Sequence, residues 1–332
     1  MKIAIVKLSS IGDVVHALPV AVALKREFPG THVTWVAEAR EATLVAGHPA
    51  VDEVIVADTR GWRREWAGTV AIREALAVAR GLRAHAFDVV LDLQGLMKSG
   101  LITALTRAPR RIGFARGFRR EWGAALFTNE WVRPARDARH VVEQYAAMLT
   151  PLGITRPAIE FRLPVDATAE QSIDAFLAGA GLKARDGFVL VNAGAGRPDK
   201  RWPVSSFREV VQRLAGDGTT RVVVLWGPGE EDDARAIAGA ATGVVAAPPT
   251  TLRELVALAR RARLMIAGDT GPLHIAAAVG TPCLGLYGPT SGVRNGPYGA
   301  GHRVLQAADE RMASITPAAV HDAAAALLEA VA

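Results

Sequence analysis

The residues best suited to chemistry lie in the stretch GDTGPLHIAAAVGTP, residues 268–282. Asp269, Thr270 and Gly271 follow an apolar, strand-like run and precede a helical pattern, with His274 in the first turn of that helix. The free N–H groups of such a turn and the helix dipole favour an anion, and glycine lets a phosphate approach the backbone. The pattern indicates a diphosphate site. The alternative is a helix merely capped by Asp269 or Thr270, with His274 packed in the core.

Two further loops follow strand-like runs in the same half of the chain. Residues 192–203, NAGAGRPDKRWP, carry Lys200, which can reach a phosphate as a point charge. Residues 226–233, WGPGEEDD, carry Glu230, which can accept hydrogen bonds from ribose hydroxyls. Taken alone, Lys200 can equally be a solvated loop lysine, and Glu230 can be an acid that complements a helix dipole. The agreement of three loops favours a nucleotide diphosphate.

A fourth loop, KLSSIGDVVHALP at residues 7–19, follows the first apolar run of the chain. It presents Asp13 either as the N-cap of a helix or as a general base, with Ser9, Ser10 and Gly12 shaping the turn. A helix N-terminus favours the ionised carboxylate, so the two roles are compatible. A positioned base contributes about 10² to 10⁴ in rate when it takes the proton of an attacking hydroxyl.

The elements that must position these loops alternate in both halves, as in βαβ units around a parallel sheet. Strands are expected at 2–7, 32–37, 53–57, 87–93, 188–193, 221–226, 263–269 and 282–288. Helices are expected at 14–27, 69–82, 205–216, 230–241, 251–262, 272–279 and 316–331. Doubly wound sheets bind ligands at the carboxyl ends of their strands, so two of them in tandem predict a cleft between those ends.

A segment rich in proline and glycine, PLGITRPAIEFRLP, follows Thr150 and is a plausible linker. We therefore predict an α/β protein with two Rossmann-like, doubly wound parallel-sheet domains, at 1–160 and 161–332. The terminal helix begins with Thr316 as N-cap and Pro317 at the first helical position, and can pack back on the first domain.

Several classes of protein are disfavoured by the sequence. The first loop, LSSIGD, has one glycine and fails the dinucleotide fingerprint, and QGLMKS has Met97 where a P-loop needs glycine. No D-x-D pair is present to bridge a metal to a diphosphate. Cys283 is the sole cysteine, and no apolar run reaches the roughly 18 residues of a membrane span.

The charge is concentrated in the first half of the chain. Residues 1–165 carry 23 Lys and Arg against 16 Asp and Glu, a net charge of +7, whereas residues 166–332 carry 16 against 17, a net −1. Six arginines lie in RAPRRIGFARGFRR, residues 107–120. They suit an anionic partner such as acidic lipid headgroups, an acidic sugar or nucleic acid, or else form a solvated face. Few aromatics interleave with them, which disfavours single-stranded nucleic acid.

The chain resembles the ADP-heptose lipopolysaccharide heptosyltransferases, which belong to glycosyltransferase family nine and have the GT-B fold. The resemblance lies in KLSSIGDVVHALP, in DLQGLMKSG at 92–100, in DKRWP at 199–203 and in GDTGPLHIAAAVGTPCLGLYGPT at 268–290. These motifs spread over nearly the whole chain in the family's order. The SSIGD form is similar to heptosyltransferase I rather than II.

The resemblance implies inverting transfer of L-glycero-D-manno-heptose from ADP-heptose to a Kdo residue of lipid A. It implies an acceptor-binding first domain, a nucleotide-sugar-binding second domain, and Asp13 as the general base. The donor contacts fall on Lys200, Glu230, Asp269, Thr270, Gly271 and His274. The acceptor-side candidates are Ser9, Ser10, Gly12, Lys98, Arg119 and Arg120.

The same resemblance implies no cofactor and no essential metal. We expect a cytoplasmic monomer that does not bind nucleic acid and touches the anionic inner leaflet of the inner membrane peripherally. Two rivals remain open. A sugar-nucleotide epimerase of the same fold would have no use for the basic first half, and a non-catalytic nucleotide-binding module would not need Asp13.

Overall fold

Two parallel sheets account for the alternation of strand-like and helix-like segments in the sequence. The computed structural model describes residues 1–64, 69–182, 187–216 and 218–330. The chain divides into two units, Met1–Pro164 and Val165–Ala332, each with its own sheet. The first unit thus extends a few residues past position 160, the boundary that the sequence predicts.

The first unit contains a six-stranded sheet in the order β3-β2-β1-β4-β5-β6, with parallel pairing throughout. Its strands are β1 (Lys2–Val6), β2 (His32–Ala37), β3 (Glu53–Val56), β4 (Val89–Asp92), β5 (Arg110–Phe114) and β6 (Glu130–Val132). Its helices are α1 (Ile11–Glu27), α2 (Ala39–Val45), α3 (Thr59–Arg64), α4 (Thr69–Ala84), α5 (Met97–Leu105) and α6 (Val141–Ala146), with 3₁₀ helices at Trp122–Phe127 and Ala147–Leu152. The strand order reverses between β1 and β4, which is where doubly wound folds bind ligands.

The second unit repeats this plan in the order β12-β11-β10-β7-β8-β9, again with parallel pairing. Its strands are β7 (Val189–Asn192), β8 (Val222–Leu225), β9 (Val244–Ala246), β10 (Leu264–Gly268), β11 (Cys283–Tyr287) and β12 (Arg303–Gln306). Its helices are α7 (Ala167–Gly179), α8 (Val204–Ala215), α9 (Glu231–Ala238), α10 (Leu252–Arg261), α11 (Gly271–Ala278), α12 (Gly292–Asn295) and α13 (Pro317–Glu329), with 3₁₀ helices at Pro198–Lys200 and Met312–Ser314. The order reverses between β7 and β10.

The predicted fold class, two parallel-sheet α/β domains, is confirmed. Four strands are absent from the sequence prediction, namely β5, β6, β9 and β12. β5 lies inside the arginine-rich stretch, where charged residues conceal the strand signal. Arg110 on this strand is neutralised by Glu130 on the neighbouring β6, with Nε and Nη2 donating to its two carboxylate oxygens at 2.7 and 2.8 Å. A strand can therefore carry arginine at its half-buried positions.

The start of α1 differs from the prediction in a way that bears on the site. The helix begins at Ile11, not at Val14, because Ser10 rather than Asp13 is the N-cap. Asp13 occupies the third position of the helix, and its Oδ2 accepts from the backbone N and the Oγ of Ser10 at 3.3 and 3.1 Å. An acid at this position reaching back to the N-cap is one half of a capping box. The reading of Asp13 as N-cap is therefore wrong.

The terminal helix α13 begins as the sequence predicts. Thr316 is its N-cap and accepts from the backbone N of Ala319 at 3.2 Å, with Pro317 at the first helical position. The helix packs on α8 and on β10, β11 and β12 of its own unit. The predicted final residue of the helix, Val331, lies outside the described residues. Among the described residues, no helix has the length and apolarity needed to cross a bilayer.

Cys283 provides a probe of global unfolding. The side chain lies in β11 with no exposed surface, and its Sγ donates to the carbonyl of Thr281 at 3.1 Å. Burial raises the pKa of the Cys283 thiol, which suppresses the reactive thiolate. We expect the native protein to react with a thiol reagent at pH 8 only as fast as it unfolds. A fast reaction in the absence of denaturant would contradict this burial.

Candidate functional site

Asp13 lies after β1, at the reversal of strand order in the first unit, and both of its carboxylate oxygens are hydrogen-bonded. Oδ1 accepts from Arg120 Nη2 at 2.9 Å and from the Tyr145 hydroxyl at 3.1 Å. Lys7 Nζ lies 3.6 Å from the same oxygen. Oδ2 accepts from Arg120 Nη2 at 3.2 Å and from Ser10. The side chain is 15% exposed, so the carboxylate is largely sheltered but still reachable.

Lys7 is a fully buried lysine beneath this carboxylate. Its Nζ donates to the Tyr145 hydroxyl at 2.7 Å and to the Leu93 carbonyl at 3.1 Å, and lies 4.6 Å from the centre of the Tyr145 ring. Burial lowers the pKa of Lys7 to about 8, against the opposing attraction of Asp13. The ammonium thus remains charged at neutral pH but titrates within the range of an enzyme assay.

The electrostatics keep Asp13 ionised. Burial by itself raises the pKa of this carboxyl, but the charges of Lys7 and Arg120 outweigh it. The pKa therefore lies well below its usual range, and Asp13 is an anion at any working pH. The carboxylate can take the proton of a hydroxyl group while the oxygen of that hydroxyl forms a new bond.

The loop after β4 completes this half of the site. Gln94 Oε1 accepts from the backbone N of Leu8 at 3.0 Å and of Ser9 at 3.3 Å, which ties the β4 loop to the β1 loop. Gly95 has φ +67°, and a Cβ there would lie 3.3 Å from the backbone of Arg120. The Gly95 carbonyl accepts from the backbone N of Arg120 at 3.1 Å. Glycine at 95 therefore lets the Arg120 segment approach and place its guanidinium on Asp13.

The acceptor-side candidates are only partly brought together. Ser10, Gly12 and Arg120 lie around Asp13, and Ser9 is buried at the preceding position of the same loop. The backbone of Arg119 approaches Gly95. Lys98 is instead engaged elsewhere, since its Nζ donates at 3.1 Å both to the buried Glu38 and to Thr59. Lys98 balances a buried acid in this structure.

Asp269 joins two other predicted donor residues in the second unit, Lys200 and His274. Its Oδ2 accepts from Lys200 Nζ at 2.6 Å, and its Oδ1 accepts from His274 Nε2 at 3.1 Å. Burial raises the pKa of Asp269, but the hydrogen bonds and charges of His274 and Lys200 outweigh it and hold the pKa below its usual range. The ammonium of Lys200 is thus fixed beside the first turn of α11.

The first turn of α11 offers backbone donors at the same place. Thr270 is the N-cap, but its hydroxyl donates to the Gly268 carbonyl at 3.2 Å and does not cap the helix. The first bond of the helical ladder joins His274 N to the Thr270 carbonyl at 3.4 Å. The N–H groups of Gly271 and Leu273 precede that bond and lie outside the ladder. Together with Lys200 they form the arrangement that suits a diphosphate.

Glu230 lies in the neighbouring loop after β8, next to the loop after β7. Its Oε2 accepts from the backbone N of Gly227 at 2.8 Å, and its Oε1 lies 3.5 Å from Arg201 Nη2. A Cβ on Gly194 would lie 1.8 Å from Oε2, so only glycine at 194 leaves room for this carboxylate. The three loops predicted to act together follow β7, β8 and β10, which are adjacent in the sheet.

Four residues around these sites are not predicted from the sequence: Lys7, Gln94, Tyr145 and Asn192. Asn192 ends β7 and its Nδ2 donates to the Gly194 carbonyl at 2.9 Å. A lysine at the end of an apolar run, as at Lys7, is the one available signal. Tyr145 comes from α6, far along the chain, and nothing local marks it.

Comparison with known proteins gives one family. The family model described as glycosyltransferase family 9 (heptosyltransferase) matches residues 75–319. Lipopolysaccharide heptosyltransferase 1 of Escherichia coli (strain K12) is 32% identical over 96% of this chain and 98% of its own length. Lipopolysaccharide heptosyltransferase 1 of Pseudomonas aeruginosa is 31% identical over 90% of this chain and 82% of its own.

Solved structures agree with this result. E. coli heptosyltransferase WaaC with ADP superposes with a TM-score of 0.83 at 31% identity, covering all of both chains. The same enzyme with ADP-2-deoxy-2-fluoro heptose gives 0.81 over 97% of this chain and 98% of that one. A putative UDP-N-acetylglucosamine 2-epimerase from Listeria monocytogenes gives 0.58 at 17% identity over 99% of this chain and 88% of that one, a likeness of fold alone.

Proposed function

The chain belongs to glycosyltransferase family 9, the heptosyltransferases, and on that premise we propose that it catalyses the first heptose transfer of the lipopolysaccharide inner core. The donor is ADP-heptose, and the acceptor is a Kdo residue borne by lipid A. The relatives named lipopolysaccharide heptosyltransferase 1 support this step over later ones. The enzyme is a transferase, and the epimerase alternative is not favoured.

The observation that carries the mechanism is the ionised Asp13 at the strand-order reversal of the first unit. The acceptor oxygen forms a bond to the anomeric carbon of the heptose while the bond from that carbon to the β-phosphate oxygen breaks. The acceptor proton passes to Asp13, and the electron pair of the broken bond leaves on ADP. One displacement of this kind inverts the anomeric centre and needs one carboxylate base.

The leaving diphosphate is stabilised by positive charge that the second unit already holds in place. Lys200 is fixed by Asp269, and the free N–H groups at the start of α11 add the positive end of the helix dipole. In this proposal Glu230 accepts hydrogen bonds from the ribose hydroxyls. We propose that transfer is metal-independent because these groups supply the needed charge, and activity that persists in excess EDTA tests this.

One assay separates the proposed function from its rivals. The protein is incubated with ADP-heptose, with and without Kdo-bearing lipid A, and ADP release is measured. The heptosyltransferase releases ADP at a substantial rate only when acceptor is present. Conversion of the sugar nucleotide without acceptor would indicate the epimerase, and binding of ADP-heptose without turnover would indicate the non-catalytic module.

The acceptor is part of a lipid, and we propose a cytoplasmic enzyme that binds the anionic leaflet through an apolar surface of the first unit. This surface consists of Met97 and Leu101 on α5 with Trp122 and Leu126 on the adjoining 3₁₀ helix. They are 43, 51, 81 and 72% exposed. The two helices pack against each other, and the backbone N of Met97 donates to Glu121 at 2.5 Å.

The charge around this apolar surface supports an anionic bilayer as its partner. Arg116 is exposed, Arg119 is half-buried, and no carboxylate among the described residues pairs with either. Arg110 and Arg111 are less available, since Arg110 binds Glu130 and Arg111 donates to the Phe127 and Ala108 carbonyls. Exposed Trp and Leu bordered by unpaired arginine suits an anionic bilayer interface.

We predict that Trp122→Gln and Leu126→Gln each weaken binding to phosphatidylglycerol vesicles about tenfold, because each removes an apolar side chain that the interface buries. Vesicle sedimentation at low and high salt measures this. Val293→Gln is the control, since Val293 is 58% exposed but lies in the second unit. Equal partitioning of all three variants and the wild type would refute the membrane proposal and leave the transfer reaction untouched.

A further inference from the structure

Tyr145 connects the buried lysine to the catalytic carboxylate. Its hydroxyl accepts from Lys7 Nζ at 2.7 Å and donates to Asp13 Oδ1 at 3.1 Å. The residue is 4% exposed, comes from α6, and its ring packs 6.1 Å from Phe114. Because an ammonium has only donors, the lone pair of the tyrosine oxygen faces Lys7 and the O–H is directed at Asp13.

We propose that Tyr145 is a positioning residue for the base: oriented by Lys7, its hydroxyl holds Oδ1 of Asp13 so that Oδ2 takes the acceptor proton. This inference rests on the proposed function, since it concerns the base of that reaction. Lys7 and Tyr145 touch neither donor nor acceptor in this scheme. They act through Asp13.

The two oxygens of Asp13 are held differently, which supports the assignment of Oδ2. Oδ1 faces two buried groups, the Tyr145 hydroxyl that donates to it and the Lys7 ammonium 3.6 Å away, and the tyrosine O–H stays directed at Oδ1 while Lys7 is charged. The donors specific to Oδ2 are the N and Oγ of Ser10, an exposed residue whose hydroxyl can rotate. Arg120 reaches both oxygens, at 2.9 and 3.2 Å, and is half-exposed. An incoming hydroxyl can therefore replace a contact at Oδ2 but not at Oδ1.

The direction of the tyrosine hydrogen bond depends on the charge of Lys7. A neutral lysine amine has a lone pair that can accept a hydrogen bond, so the Tyr145 hydroxyl would then be free to turn from Asp13 to Lys7. The groups that set the titration of Lys7 are Asp13 on α1, Asp92 at the end of β4, Arg120 after β5 and Tyr145 on α6, and His16 also bears on Asp13. Activity should therefore fall as pH rises through the pKa of Lys7, which is about 8.

The decisive variant is Tyr145→Phe, which removes one oxygen and keeps the ring. We expect kcat per folded enzyme to fall about 10- to 100-fold with an unchanged KM for ADP-heptose, as for loss of an orienting hydrogen bond. The ammonium of Lys7 also loses an acceptor, so its pKa should fall. The alkaline limb of the kcat profile should disappear, because the variant has no hydroxyl that can turn from Asp13 to Lys7.

The titration of Lys7 can be followed directly by NMR in protein labelled with ¹³C-lysine. The chain has six lysines, and Lys7→Arg identifies the Lys7 signal. Tyr287→Phe is the matched control, because Tyr287 is also buried and its hydroxyl donates to the Asn295 carbonyl at 2.8 Å. This control should leave both the Lys7 titration and the alkaline limb in place.

A merely structural tyrosine would lower the melting temperature of the Tyr145→Phe variant and leave the Lys7 titration, the alkaline limb and kcat per folded enzyme unchanged. The proposal is overturned if the Lys7 titration, the alkaline limb or kcat per folded enzyme keeps its wild-type value in this variant. Failure of the proposed function is distinguishable from this result, since the wild-type protein would then show no acceptor-dependent release of ADP.

Discussion

Asp13→Asn is expected to lower the rate of heptose transfer by about 10² to 10⁴, because the amide cannot take the acceptor proton. The fold should survive. The asparagine oxygen still accepts from Arg120 or Tyr145, and Lys7, with its pKa of about 8, can lose its proton at modest cost. ADP binding should remain close to wild type, since the proposed donor contacts lie in the second unit. Transfer, ADP affinity and melting temperature are measured on the same preparation.

Asp137→Asn is the matched control for this substitution. Asp137 is an exposed aspartate of the same unit, and no side-chain contact is described for it. Its replacement should leave transfer, affinity and stability unchanged. Near wild-type transfer by Asp13→Asn would exclude Asp13 as the base, whatever the control shows.

Lys200→Met is expected to lower kcat/KM for ADP-heptose by about 10² to 10³, the effect of removing one charge-stabilising donor from a leaving group. The ammonium both attracts the bound diphosphate and stabilises the charge that grows on it as the glycosidic bond breaks. ADP should therefore bind more weakly, and kcat should fall as well. Calorimetry with ADP and steady-state kinetics separate the two contributions.

Lys25→Met provides a close control for the loss of a lysine–aspartate pair. Lys25 Nζ lies 2.6 Å from Asp52 with its side chain 23% exposed, and Lys200 Nζ lies 2.6 Å from Asp269 with its side chain 19% exposed. Both changes remove the same chemical pair, but only Lys200→Met removes it from the proposed donor site. If the two variants lost equal activity, the effect of Lys200→Met would be one of stability.

The strands that can be predicted from the sequence are those that are apolar and bounded by turns. β2 was predicted at its observed bounds, and β1, β7, β8 and β10 to within a residue at each end. The missed strands are short or carry charge, as β5 does with Arg110 and Arg111. Their identity depends on partners elsewhere in the sheet, such as Glu130, which a local pattern does not contain.

The site residues that could be predicted from the sequence are likewise those that a local pattern marks. Asp269, Lys200 and Glu230 lie in loops directly after strands, so the rule for parallel sheets selects them without knowledge of the fold. Tyr145 lies in a helix and reaches Asp13 only because α6 packs on α1. Arg120 was identified as a basic residue for an anionic acceptor, whereas the structure pairs it with Asp13. Such pairings between distant segments exist only once the chain is folded.

The central claim is that transfer occurs in one displacement, with Asp13 taking the proton from the acceptor. The most direct test is the anomeric configuration of the product, read from the one-bond C1–H1 coupling constant of the transferred heptose. The mechanism predicts the configuration opposite to that of the heptose in the ADP-heptose donor. Retention of the donor configuration would contradict it, because retention requires two displacements and a nucleophile in addition to a base.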